Sequence, residues 1–156
     1  MPDYKASNEL GGTKQAIAST YKSLLTLAAS SAVALRRIKV DDIFMGVEGT
    51  PSDQAMVWDL SRTTAAGTGT SITPNPNDPA DGAALTVGLA NLTVEPTVTA
   101  NSGLLPAAVN QRASVRWVAT PGKEIVVPAT NLAGLAFRAK SAGYNGVANV
   151  NTNFNE

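Results

Sequence analysis

The sequence predicts an all-β protein that folds as a single antiparallel β-sandwich, jelly-roll-like, with about eight strands. Short segments alternate apolar and polar residues, as strands do when one of their faces is buried. Clusters of glycine, proline and asparagine separate these segments at short intervals. The chain has 156 residues, the size of one domain, and neither a repeat nor a change in composition divides it.

The start of the chain differs from the rest. Residues 1–13 are mostly polar, contain Pro2 and end in two glycines. Such a segment is typical of a terminal arm that stays loose unless something binds it. We therefore expect a flexible N-terminal arm over 1–13 and a β-sandwich domain over 14–156.

Three stretches in the first half of the chain are predicted to be strands. Residues 14–30 alternate and contain β-branched residues, although their alanines and leucines also suit a helix. Residues 35–48 alternate with a one-residue change of phase, which predicts a β-bulge near residues 41–42. Residues 54–64 alternate again and place Trp58 on the apolar face.

The middle of the chain is predicted to be mostly loop. Residues 65–82 are rich in glycine and proline. Asp78 can cap a helix, and the proline after it suits the first helical position, which predicts a short helical turn near 79–86. Residues 91–100 alternate, but Pro96 restricts that strand to a sheet edge or a bulge.

The last third of the chain shows the clearest alternation. Residues 111–119 form a predicted strand, and the Thr-Pro-Gly-Lys sequence at 120–123 is typical of a tight turn. Further strands are predicted over 124–128, over 135–140 and in the asparagine-rich tail 147–155. The residues predicted to form the core are Leu25, Leu27, Ile38, Val40, Trp58, Leu60, Val115, Trp117, Val126, Phe137, Val150 and Phe154.

Composition excludes several classes of function. The chain has no cysteine and no histidine, which excludes a disulfide scaffold, a cysteine zinc site and any catalytic triad that uses histidine. Twelve basic residues balance twelve acidic ones, whereas a nucleic-acid binder normally has a basic excess. The start lacks the charged and apolar regions of a secretory signal. We expect no cofactor, no nucleic-acid partner, no membrane partner and synthesis in the cytosol.

Acidic side chains are the only candidates for chemistry. Asp41, Asp42 and Asp59 lie on predicted neighbouring strands, and a carboxylate pair at suitable spacing is the requirement of a glycoside hydrolase. The simpler interpretation is that these carboxylates are solvated or pair with arginine. The loop over 75–82 offers oxygen ligands for calcium but lacks the spacing of a known calcium loop, which favours a capped turn. We therefore expect no enzyme activity, no catalytic residue and no metal site.

The order of several segments indicates a family. The sequence LRRIKVDDIFMGVEGTPSDQAMVWDLSR at 35–62 is followed by NPNDPADGAA and by NLTVEPT at 91–97. The sequence NQRASVRWVATPGKEIVVPATNLAGLAFR at 110–138 then leads to the last strand. This series resembles the capsid cement or decoration proteins of tailed bacteriophages, which have a jelly-roll fold. The matching positions are turn and core residues, so no catalytic residue is carried over.

The resemblance implies a non-enzymatic virion structural protein on the outer capsid surface, made in the host cytoplasm. Such a protein binds neighbouring major capsid protein subunits and stabilises their contacts, often as a homodimer or homotrimer. An edge strand over 91–100 or 147–155 would be suited to pairing between copies. Exposure and composition predict the partner-binding residues to be Asp3, Tyr4, Lys5, Arg36, Arg37, Asn75, Asn77 and Asp78.

Two alternatives remain open at this point. The first is a carbohydrate- or host-surface-binding jelly-roll module of a phage particle. It requires an exposed aromatic side chain on a concave face, and the candidates are Trp58, Trp117, Tyr21 and Tyr144. The second is a hydrolase that uses the three aspartates above.

Overall fold

A computed structural model of the chain describes residues 1–30, 32 and 34–156. The described residues form thirteen strands and one short 3-10 helix, Asn8–Gly11. The strands are β1 (Asp3–Ser7), β2 (Lys22–Ala28), β3 (Ile38–Val47), β4 (Ala55–Ala65), β5 (Thr68–Ile72), β6 (Asn75–Pro76), β7 (Val87–Val94), β8 (Thr97–Gly103), β9 (Ala107–Asn110), β10 (Val115–Val118), β11 (Ile125–Val127), β12 (Gly134–Lys140) and β13 (Ala148–Asn155).

The strands form two antiparallel sheets that pack into a sandwich, which confirms the predicted fold class. The six-stranded sheet, here called the front sheet, has the order β10-β3-β13-β1-β6, and β11 also pairs with β3. The seven-stranded sheet, here called the back sheet, has the order β5-β7-β2-β12-β4-β8, and β9 also pairs with β4. The strand number exceeds eight because β1, β5 and β6 form in segments predicted to be an arm or a loop, the predicted strand over 91–100 is divided between β7 and β8, and β9 is a further short strand.

The core lies between the sheets and matches most of the predicted residues. Trp58, Phe137 and Phe154 are among its largest fully buried side chains. The other predicted core residues that are buried are Leu25, Leu27, Ile38, Val40, Leu60 and Val150. Val115, Trp117 and Val126 are only partly buried, because β10 and β11 lie at the edge of the front sheet, where fewer neighbours cover them.

The predicted bulge is present on β3. Asn153 of β13 lies opposite Asp42, and the next residue, Phe154, lies opposite Val40. Asp41 is therefore the extra residue that has no partner in the ladder. The bulge returns Val40 and Ile43, which are three residues apart, to the same buried face.

Residues 3–7, within the segment predicted to be a terminal arm, form a strand of the front sheet. Strand β1 pairs with β13 on one side and β6 on the other, and its alternate residues Tyr4 and Ala6 are buried. Ser7 then caps the 3-10 helix by accepting a hydrogen bond from the backbone N–H of Glu9 at 3.2 Å. The apolar pattern here is two residues long, so local polarity concealed a strand that only its sheet neighbours stabilise.

The helical turn expected near 79–86 is not formed. The Asp78 carboxylate accepts a hydrogen bond from the N–H of Ala80 at 2.9 Å, and the N–H of Asp81 donates to the Asp78 carbonyl at 3.0 Å. These two hydrogen bonds close a single turn over residues 78–81, and no helix follows it. Residues 82–86 form no helix or strand, and the Glu156 carboxylate accepts hydrogen bonds there from the backbone N–H groups of Leu85 and Thr86 at 2.6 and 2.9 Å.

The back sheet is rolled rather than flat. Only two residues separate β4 from β5, yet these strands lie four positions apart in the sheet. Four strand spacings equal about 19 Å, whereas the three Cα steps from Ala65 to Thr68 span at most about 11 Å. The sheet must therefore curl. Residues 66–67, here called the kink, connect β4 to β5 across the outer face of the sheet, and the Thr26 hydroxyl on that face donates to the Ala66 carbonyl at 3.4 Å.

Gly67 makes this kink possible and provides a test of it. Its φ is +79°, and a Cβ atom there would lie 2.4 Å from the Val94 carbonyl oxygen. We expect Gly67→Ala to lower the free energy of unfolding by about 2 kcal/mol or more, since it adds a backbone clash to the strain of a positive φ. Urea denaturation followed by tryptophan fluorescence measures the change.

Gly122→Ala is the matched control for that substitution. Gly122 has a φ of +81° in the turn over 120–123, but apart from its chain neighbours no described residue has an atom within 4 Å of a Cβ added there. We expect Gly122→Ala to lower the free energy of unfolding by about 1 kcal/mol, because only the strain of a positive φ opposes it. Equal losses for the two variants would contradict the close packing at the kink.

Candidate interaction surface

Two of the predicted partner-binding segments lie side by side at one edge of the front sheet. Strand β6 pairs with β1 so that Asn75 lies opposite Lys5, and the N–H of Asn77 donates to the Asp3 carbonyl at 2.8 Å. The side chains of Asp3, Lys5, Asn75, Asn77 and Asp78 are all exposed. We call these residues, with Arg36 beside them, the β1–β6 edge.

Arg36 joins this group through a shallow cavity of about 450 Å³ next to Tyr4. The Tyr4 hydroxyl donates to the Gly82 carbonyl at 3.1 Å, and the Tyr4 ring stacks on Phe154 with 5.6 Å between ring centroids. Burial raises the pKa of Tyr4, the negative charges of Glu156 and Asp81 raise it further, and Arg36 opposes them. Tyr4 is thus a buried anchor rather than the exposed contact residue that was predicted. Arg37 is exposed, as expected.

The outer face of the front sheet carries a feature that the sequence prediction missed. Phe44, on β3, is 44% exposed, although it lies between two fully buried neighbours, Ile43 and Met45. Strand alternation explains this, because the residue between two inward-facing side chains must face outward. The alternation of Ile43, Phe44 and Met45 after the change of phase was the signal that could have identified Phe44.

Polar side chains surround Phe44 on neighbouring strands. Asn151 of β13 and Arg116 of β10 lie directly opposite it, on its two sides. Asn153 lies opposite Asp42 in the next row, and Lys5 continues that row on β1. We call this set the Phe44 face; its members are Lys5, Asp42, Phe44, Arg116, Asn149, Asn151 and Asn153.

Two concavities meet at Phe44. One has a volume of about 220 Å³ and includes Lys5, Asp42 and Asn151 in its lining. The other, of about 510 Å³, extends past Asn149 and Glu48 towards the other end of the sheet. Phe44 belongs to both linings, so its ring separates them.

Most charges on this face are paired. Arg116 donates two hydrogen bonds to the Asp42 carboxylate, at 2.8 and 3.2 Å, and this contact raises the pKa of Arg116. Burial lowers the pKa of Lys14, but its contacts with Glu48 and Glu9 outweigh burial and raise it overall. The hydrogen bond from Lys14 in turn lowers the pKa of Glu9. Among the described residues, Lys5 makes no ion pair.

The three aspartates of the hydrolase hypothesis do not converge. Asp59 lies on β4 of the back sheet, where Ser61 and Arg138 donate hydrogen bonds to its buried carboxylate. Asp41 and Asp42 lie on β3 of the front sheet. Burial raises the pKa of Asp41, and Asp42 is held by Arg116. Asp59 therefore lies in a different sheet from Asp41 and Asp42, and it forms no catalytic carboxylate pair with either of them.

The aromatic residues proposed for sugar binding are not the exposed ones. Trp58 is fully buried, Tyr144 is buried, and Trp117 is partly buried at the sheet edge. The Tyr21 ring is covered by two cations, Arg138 and Lys140, at 4.5 and 4.6 Å from its centroid. Phe44 is instead the aromatic side chain that the described structure exposes on a sheet face.

Within residues 1–30, 32 and 34–156, no group of three acidic, histidine or cysteine side chains is placed to hold a metal ion. The same residues include no helix that is long and apolar enough to cross a membrane. In the 75–82 loop, the Asp78 carboxylate is used to close the turn described above.

Comparison of the chain with protein-family models, curated proteins and solved structures gives no match.

Lys14 links the start of the chain to β3, and this contact can be tested. Its side chain is 7% exposed and contacts Glu9 and Glu48. We expect Lys14→Met to lower the free energy of unfolding by about 1–3 kcal/mol, because two neighbouring carboxylates lose their shared cation. Arg112→Ala is the control, since its pair with Asp53 is exposed, and we expect a change within about 0.5 kcal/mol.

The ion pair between Lys14 and Glu9 makes the destabilisation by Lys14→Met depend on pH. The folded-state pKa of Glu9 is below 4.5, so its stabilisation is present at neutral pH and is lost as the pH falls through that lowered pKa. The difference in unfolding free energy between the parent protein and Lys14→Met should therefore shrink in acid. A difference that stays constant from neutral to acidic pH would contradict the ion pairs.

Proposed function

We propose that the chain is a non-enzymatic structural protein of a tailed-phage virion, which binds the outer capsid surface and stabilises contacts between major capsid protein subunits. The observation that supports this most is the β1–β6 edge. Segments that are far apart in the sequence, around Lys5, Arg36 and Asn75, are neighbours at one edge of the sandwich. Exposure and composition predict these residues as contact residues independently of that proximity.

The chemistry of the edge suits contact with another protein. Strand β6 has two residues, and its Pro76 has no N–H, so the edge resists uncontrolled strand addition. The edge exposes charges of both signs, at Asp3, Lys5 and Arg36. Such a pattern can orient a partner protein of complementary charge without giving the edge a large net charge. Tyr4 is locked in the core beneath them, which holds the edge in one conformation.

Stabilisation of a shell needs many modest contacts rather than one strong site. A protein that binds only the assembled lattice stabilises that lattice by mass action. Repetition of the contact over the shell adds avidity. A chain with twelve basic and twelve acidic residues has no net charge that would oppose dense packing of its copies.

Self-association as a dimer or trimer is part of the proposal, and the structure narrows the strands available for it. The tail strand β13 lies between β3 and β1, so the expectation that it pairs across an oligomer axis is wrong. Strand β8 lies at the edge of the back sheet, and among the described strands it pairs with β4 alone. Its free side can receive a strand from a second copy.

The test is binding to empty capsids of the parent phage, measured by size-exclusion chromatography with light scattering. We expect the protein to co-elute with the capsids in fixed stoichiometry and to raise their melting temperature. We expect Lys5→Glu to weaken co-elution, because it reverses a charge at the β1–β6 edge. Lys123→Glu makes the same change beside β11, at the opposite side of the front sheet, and should bind like the parent protein.

Two results would contradict the proposal. A protein that elutes alone in the presence of capsids would refute the cement role. Equal binding by the two charge-reversal variants would refute the assignment of the β1–β6 edge as the docking surface.

A further inference from the structure

The Phe44 face has the properties of a second binding site, which shares Lys5 with the β1–β6 edge and is otherwise formed by β3, β10 and β13. Its central ring is 44% exposed on a rigid sheet, where exposure of an aromatic ring to water is unfavourable. A concavity lies on each side of the ring, one of about 220 Å³ and one of about 510 Å³. This shape suits an elongated ligand that covers the ring and extends to both sides.

The hydrogen-bonding groups around the ring are mainly uncharged amides. The side chains of Asn151 and Asn153 make no hydrogen bond with other described residues, so both keep their donors and their acceptor. Asn149 uses one donor, to Glu9 at 2.9 Å, and keeps its carbonyl oxygen. Hydroxyl groups both donate and accept hydrogen bonds, which matches amides better than it matches single charges.

The charges of the face favour an uncharged ligand. The Asp42 carboxylate occupies Arg116, so an acidic ligand would have to compete with it for the guanidinium. The Arg116 side chain is 63% exposed, and the donors that Asp42 leaves free remain available to a neutral oxygen. Lys5 is then the single unpaired cation in the lining of the smaller concavity.

The face is also fixed before any ligand binds. Strands β3 and β13 are interior strands of the front sheet, and Arg116, Phe44 and Asn151 form one row across three strands. A ligand therefore has little conformational entropy to remove from the protein. From the exposed ring, the free amides and the paired charges, we propose that the Phe44 face binds a neutral oligosaccharide, with one sugar ring on Phe44 and its neighbours in the two concavities.

The test is a titration of the whole ¹⁵N-labelled protein by NMR, with no capsid present. The probes are maltohexaose, cellohexaose and mannohexaose as neutral oligosaccharides, and hexagalacturonate as an acidic comparison. We expect a neutral probe to shift the backbone signals of Phe44, Arg116 and Asn151 in a saturable way. The back sheet should not respond.

Three variants make the result specific. Phe44→Ala removes the ring, and Asn151→Ala removes one amide; both positions face solvent. We expect a loss of affinity of about tenfold or more for Phe44→Ala and about fivefold for Asn151→Ala. Val94→Ala is the control, since it truncates an apolar side chain that is 58% exposed on the other sheet, and its affinity should equal that of the parent protein.

Several outcomes would overturn the proposal. These are the absence of shifts with every neutral probe, shifts centred away from Phe44, an equal loss in the Val94 control, or tighter binding of hexagalacturonate. None of them bears on the capsid assay, because the titration contains no capsid and the capsid assay contains no sugar.

Discussion

The pairing of β13 with β3 is the constraint on which the rest of the front sheet depends. Side chains alternate along both strands, so a shift of one residue in their register would exchange the buried and exposed faces. The observed register buries Met45 and Val150 together and places Phe44 beside Asn151. The bulge at Asp41 keeps both ends of β3 in phase with the core. The same pairing therefore contributes buried residues to the core and sets the centre of the Phe44 face.

The β1–β6 edge depends on that pairing in turn. β13 holds β1 along its full length, from Asp3 opposite Asn155 to Ser7 opposite Asn151. β1 then holds the two residues of β6, which pair with no other strand in the described part of the chain. Lys14 adds a second attachment through Glu9 and Glu48. The long pairing of β13 with β1 fixes β1, and β1 in turn fixes the short strand β6. This explains why the polar segment at the start of the chain is structured.

The sequence contains the local features of this fold but not its long-range pairings. The tight turn around Gly122 and the bulge at Asp41 were both predictable, because each depends on a few adjacent residues. The assignment of β3 and β4 to different sheets was not predictable, and it separates Asp59 from Asp41. The position of Tyr4 depends on contacts with Phe154, 150 residues away in the chain, which alternation cannot reveal.

The two proposed surfaces are compatible because they are centred on different strands of the front sheet, β1 and β6 for one and β3 for the other. Strand pairing lies in the plane of a sheet, whereas side chains stand perpendicular to it. Lys5 and Phe44 therefore stand on the same face of the front sheet, but β13 lies between their strands and separates the β1–β6 edge from the Phe44 ring. Lys5 is the one residue that belongs to both surfaces, since its backbone pairs with Asn75 and its side chain lines the smaller concavity. Attachment through the edge therefore leaves the ring and its flanking amides open to a second ligand.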